Sequence, residues 1–207
     1  MERDCHGARK RHKLRMETLR AQALVYVLRA TALRAGDVCE LTHPQVELAK
    51  SVGGYLSIQM RKTGLAAHVV LGEAAIEAIE RYLKERDDAS PWIFIQHGRN
   101  AAPPKKRSLS EEAYRFRTKG YGAQISPGLV RRIVLRVAKQ AGYNPKKEFV
   151  SAHAFRHWHA QRLIDLGASI DQVQSVLGHA RAQTTKEVYA PEPNVAQILS
   201  WEKEMQG

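Results

Sequence analysis

A chain of 207 residues with 33 lysines and arginines against 21 aspartates and glutamates carries a formal charge of +12. The length suffices for one domain with its own core, and an apolar share of 43% excludes a wholly disordered chain. No apolar run approaches the roughly 18 residues of a membrane span, residues 1–15 are charged rather than signal-like, and Cys5 and Cys39 make no disulfide framework.

A reducing cytoplasm is therefore expected, and the charge favours a polyanion as partner. Lysines and arginines that neutralise phosphates release condensed counterions, which drives binding to nucleic acid. The excess is clustered. Arg9, Lys10, Arg11, Lys13 and Arg15 lie in an amino-terminal stretch without apolar period, read as a flexible basic arm over residues 1–15. Lys105, Lys106 and Arg107 form a second run in a Pro-containing loop. Both runs are candidate DNA contacts.

From Glu17 to Thr31, Leu19, Ala23, Tyr26, Val27 and Ala30 recur at helical spacing. Gly36–Leu41 is read as a short second helix that Pro44 ends. In Gly54–Arg61, Leu56, Ile58 and Met60 alternate with polar residues. Lys62-Thr63-Gly64 then makes a turn, and His68–Leu71 a return strand. Val46–Ala49 is read as a third strand. Glu73–Arg86 is a helix, Pro91–Ile95 a short apolar stretch, and Ser108-x-x-Glu111 a capping box. Ser126-Pro127 starts a helix that Gly142 stops. Helices follow over Ala152–Leu166, closed by Gly167, and from the Ser169-x-x-Gln172 cap to Gly178. A last amphipathic helix spans Val195–Met205. These elements predict an α+β fold, mainly α-helical, with a small three-stranded antiparallel sheet. Residues 16–207 form one domain behind the arm.

The chemistry concentrates in residues 151–189. His153 and Arg156, three apart on a helix, share one face and can reach one phosphate. That spacing alone is weak, because His6/Arg9, His12/Arg15 and His159/Arg162 repeat it. The residues downstream give it weight: Leu177-Gly178-His179, Thr184-Thr185 and Tyr189 come after a glycine stop and a capped helix. Upstream, Ala32-Leu33-Arg34-Ala35-Gly36-Asp37 precedes Leu41-Thr42, and Lys62 lies in the hairpin turn.

This ordered set, over roughly residues 17–200, resembles the tyrosine recombinase (phage integrase) family and its catalytic domain. Ala32 stands where that family usually has glycine, Asp37 where glutamate is commoner, and residues 98–124 look like an insertion. The resemblance implies that DNA strands are cut and rejoined through a 3′-phosphotyrosyl intermediate, with Tyr189 as nucleophile. Two arginines can grip the non-bridging phosphate oxygens, and Arg34 and Arg156 are the candidates. A tyrosine hydroxyl, with a pKa of about 10, attacks only when deprotonated at phosphorus. His153 is the candidate base, Lys62 the candidate acid for the leaving 5′-oxygen, and His179 a phosphate ligand. Asp37 would support its neighbours. Bond energy is retained, so no cofactor, nucleotide or metal is expected.

The partner implied is double-stranded DNA, bound by a homotetramer, with no membrane involved. Family members usually carry a further amino-terminal DNA-clamping domain, which this sequence does not show. That motivates the alternative of a DNA-binding or regulatory protein that keeps the fold without turnover. A metal-dependent transposase or nuclease ranks behind both, since no carboxylate cluster stands out. The last helix, beyond the nucleophile, is expected to dock on a neighbouring copy.

Overall fold

The computed structural model describes residues 2–86, 88–97, 123–145, 147–177 and 195–206. Its spine is α1, Glu2–Thr31, about 45 Å long at 1.5 Å per residue. The carboxyl-terminal half buries Met16, Ala23, Leu24, Val27 and Leu28 on one stripe, packed against helices to either side. The amino-terminal arm is helical, not irregular: α1 runs through it without a break. Residues 11–15 are exposed, so this stretch shows no buried stripe, and Lys, Arg and Leu are good helix formers. Arg20 is the exception to that stripe; its buried Nη1 donates to the Ile95 carbonyl at 2.7 Å.

α2 spans Ala35–Cys39, and α3 spans His43–Ser51. The latter corrects two expectations. Pro44 begins a helix at its first turn, where a missing N–H costs nothing. Val46 and Ala49, expected in a strand, are the buried face of that helix, three residues apart. Gln45 caps it, accepting from the Thr42 backbone N–H and hydroxyl, both at 2.9 Å.

The sheet therefore has two strands among the described residues, not three: β1, Tyr55–Gln59, and β2, Ala66–Val70, are antiparallel. Tyr55 pairs with Val70 and Gln59 with Ala66. Leu56 and Ile58 face the core while Ser57 and Gln59 face out, as the period of two requires. Gly54 opens β1 at φ +87°, and a Cβ there would sit 2.3 Å from the Leu71 carbonyl oxygen, so no side chain fits.

α4, Glu73–Lys84, lies along α1. Ile93, Phe94 and Ile95 thread the core, with Ile93 N–H donating to Leu41 O at 2.8 Å and Ile125 N–H to Phe94 O at 3.2 Å. The helices α5, Pro127–Gln140, and α6, Ala152–Asp165, start on serine caps. Leu129 N–H donates to Ser126 Oγ at 3.2 Å and Ala154 N–H to Ser151 Oγ at 3.1 Å. Gly167 leaves α6 at φ +90°. α7, Ile170–Leu177, is capped reciprocally by Ser169 and Gln172 at 2.9 and 3.2 Å.

α8, Val195–Gln206, packs on its own chain, against the hairpin. Met205 joins a small second core with Ala32, Leu163, Val176 and Leu177. Buried Glu202 lies 3.2 Å from Nε2 of fully buried His159, an ion-pair distance without hydrogen-bond alignment. α8 thus makes packing contacts within its own chain. No helix among the described residues is long and apolar enough to cross a membrane.

Candidate active site

The site lies where the two cores meet, and Ala32 is the pivot. The chain leaves α1 with Ala32 at φ +52°, the left-handed region that glycine adopts without strain. The glycine-to-alanine departure noted in the sequence falls on this residue. Leu33 then plugs the large core, and Arg34 turns back as the extended residue before α2. Its side chain is half-buried, and its Nη1 is fully buried with no hydrogen-bond partner.

Arg156 meets it from α6. Only 4% exposed, it donates from Nη1 to the Ala32 carbonyl at 3.1 Å and from Nη2 to the Leu177 carbonyl. One guanidinium thereby joins the α1–α2 turn, α6 and the end of α7. Burial first, and then the nearby Arg34 charge, push Arg156 down to about 10, against a smaller upward pull from Asp37. It remains a cation at neutral pH.

His153 is one turn earlier on α6, on its exposed side. Its pKa lies below the ordinary histidine value through partial burial and then through His157, Arg156 and Arg34. A neutral imidazole can accept a proton. Asp37, 4% exposed, accepts the Arg61 backbone N–H on Oδ1 at 2.9 Å, and its buried Oδ2 has no hydrogen-bond partner. The next residue, Lys62, is exposed at the hairpin turn, which is closed by Met60 N–H donating to Leu65 O at 2.7 Å. A cavity of about 140 Å³ lined by Asp37, Glu40, Gln45, Ile58, Gln59 and Arg61 opens beside this tether.

The structure therefore brings together Arg34, Asp37, His153 and Arg156, and ties the Lys62 turn to Asp37. His179 and Tyr189, with Gly178, Thr184 and Thr185, lie outside the described residues, as do Lys105, Lys106, Arg107 and the Ser108 capping box. The described residues break off after Leu177, whose carbonyl Arg156 holds, and resume at Val195. Of the arm, Arg11, Lys13 and Arg15 are exposed on α1, and Arg15 pairs with Glu85 at 2.6 Å; the side chains of Arg9 and Lys10 lie outside the described residues. Among those residues no three His, Cys, Asp or Glu side chains cluster to hold a metal.

Two features escaped the sequence. The acceptors that hold Arg156 are backbone carbonyls, which leave no compositional trace. His157, given no chemistry by its motif, lies edge-on to His153, and its spacing of four is the available signal. Chemically, the cluster offers paired cations, one with an unfilled donor, and a neutral base beside them.

Residues 8–193 match the phage integrase family, and the chain belongs to it. It is similar to the tyrosine recombinase XerA of Pyrococcus horikoshii, 28% identical over 170 residues that cover 82% of this chain and 50% of the relative. The chain spans about half the length of that curated relative. Its fold is similar to a crystal structure of XerA recombinase, with a TM-score of 0.56, 20% identity, and coverage of 95% of this chain and 63% of the other. A second neighbour is the XerH site-specific recombinase bound to its difH substrate, with a TM-score of 0.52, 20% identity, and coverage of 84% and 46%.

Proposed function

We propose that this chain is the catalytic part of a site-specific DNA recombinase, with residues 1–15 as a basic arm and 16–207 as the catalytic domain. The observation that carries the reading is the pairing of Arg34 with Arg156. Two cations near enough for the Arg34 charge to lower the Arg156 pKa, one buried and the other with a buried unpartnered donor, oppose stability until an anion joins them. A phosphodiester supplies that anion. It accepts from both guanidiniums, and the developing charge on phosphorus strengthens the contact.

In the proposed step the Tyr189 oxygen bonds to phosphorus while its proton passes to His153. The bond to the 5′-oxygen breaks, and Lys62 protonates that oxygen as it leaves. One phosphorus–oxygen bond forms as one breaks, giving a 3′-phosphotyrosine and a free 5′-hydroxyl. Attack by another strand's 5′-hydroxyl reverses the sequence of events and rejoins the DNA. Asp37 holds the Lys62 turn through Arg61, and His179 adds a phosphate contact. Exposed Arg11, Lys13 and Arg15, with Arg9 and Lys10, would meet the DNA backbone, as would Lys105, Lys106 and Arg107. The structural neighbour bound to its difH substrate supports DNA as partner, and a homotetramer on double-stranded DNA in the cytoplasm is the assembly we propose.

A pool of nicked duplexes of randomised sequence tests this. Wild-type chain should yield protein–DNA adducts that survive denaturant, and Tyr189→Phe should yield none. Duplex retention without adduct in the wild type would instead favour a binding protein that keeps the fold.

A further inference from the structure

Beside the paired arginines lies a second pair of like groups. His153 and His157 are one helical turn apart on the exposed side of α6, with ring centroids at 4.4 Å and planes at 81°. Phe149, on the segment leading into α6, meets both edge-on, with centroids at 6.5 Å from His153 and 6.0 Å from His157. It braces the pair without adding charge. Exposed histidines one turn apart usually adopt independent rotamers. Here the contact with each other and with Phe149 restricts both.

We propose that His157 is a positioning residue for His153: the ring contact fixes the His153 imidazole beside the two arginines, and charge on one imidazole opposes charge on the other. Two titratable rings this close share their protons, so the second proton enters at lower pH than the first. Among the described residues, the charged groups acting on His153 are Arg34 from the α1–α2 turn, and Arg156 and His157 from its own helix. All three act in one direction, towards a neutral ring. The arginines do so permanently. His157 adds to them across a ring-centroid separation of 4.4 Å. This inference rests on His153 being the proton acceptor proposed above.

The test reads His153 directly, without DNA. Imidazole nuclear magnetic resonance on the full chain follows the His153 titration in the wild type, His157→Phe and His157→Lys. Phenylalanine keeps an aromatic contact and removes the charge, so the His153 midpoint should move to higher pH. Lysine keeps a charge at all working pH values, so the midpoint should stay at or below that of the wild type. A Phe variant that titrates like the wild type, or a Lys variant that moves up as far as the Phe variant, would overturn the proposal. Both substitutions are at an exposed position, and an unchanged circular dichroism spectrum excludes unfolding as the cause. If His153 responds as expected while His153→Gln still forms adduct at the wild-type rate, the pairing stands and the role of His153 as base falls.

Discussion

Replacing Arg34 by methionine should stabilise the protein while disabling it. The Nη1 of Arg34 is buried without a partner, and its charge presses on Arg156. A buried unsatisfied donor costs about 1–3 kcal/mol. Arg34 is only half-buried, so the lower end applies, and about 1 kcal/mol is expected. Methionine retains much of the unbranched stem and its packing. For a domain of this size, 1 kcal/mol raises Tm by roughly 2–4 °C. Differential scanning calorimetry without DNA reads that gain, and Arg34→Lys, which keeps the charge, should show less of it. Adduct formation on the randomised nicked pool should fall by roughly 10²–10³-fold in Arg34→Met, as for loss of one donor to a transition-state oxyanion. A fall in Tm would show that Arg34 is satisfied within the protein and that the site does not await an anion.

His97, buried and hydrogen-bonded through Nε2 to the Tyr82 hydroxyl at 2.8 Å, is pushed down to about 3, chiefly by burial. Because its folded value lies below the unfolded one, the unfolded chain binds the extra proton between about pH 6.5 and 3, so stability falls with pH across that window. Urea titrations should lose about 1 kcal/mol per pH unit between pH 6 and 4 from this group, and His97→Gln should flatten that slope; equal slopes would contradict it. Asp37→Ala removes the acceptor of the Arg61 N–H, so hydrogen exchange at that amide should accelerate at least tenfold, an effect of about 1.4 kcal/mol. Unchanged protection would mean that the Lys62 turn is held by other contacts. Glu202→Ala removes the buried carboxylate 3.2 Å from buried His159 and should destabilise the chain by about 1–3 kcal/mol through the polar group left without its neighbour. No loss in urea midpoint would argue against α8 docking on its own chain.

Much of this fold is legible where side chains cap helices. Ser126 with Pro127, and Ser169 with Gln172, announce helix starts that the structure reproduces. The same signal stands at Thr42 and Gln45, where Pro44 is easily taken for a stop, although proline serves both ends of helices. Val46 and Ala49 show how four residues cannot separate a period of two from one of 3.6. The arm defeats the pattern for another reason: its exposed turn at residues 11–15 has no apolar stripe to reveal a helix. At the site, residue types and order point to Arg34, Asp37, His153 and Arg156. Their convergence depends on Ala32 taking a left-handed backbone and on two carbonyls accepting from Arg156. Neither follows from composition, because backbone acceptors are the same at every residue.

The central claim is that Tyr189 becomes joined to DNA at a 3′ phosphate. Adducts recovered from the randomised nicked pool can be digested with protease and nuclease and sequenced by tandem mass spectrometry. A nucleotide attached through its 3′ phosphate to the Tyr189 oxygen, with a free 5′-hydroxyl on the released strand, is the predicted result. Linkage to any other residue, or through a 5′ phosphate, would contradict the account.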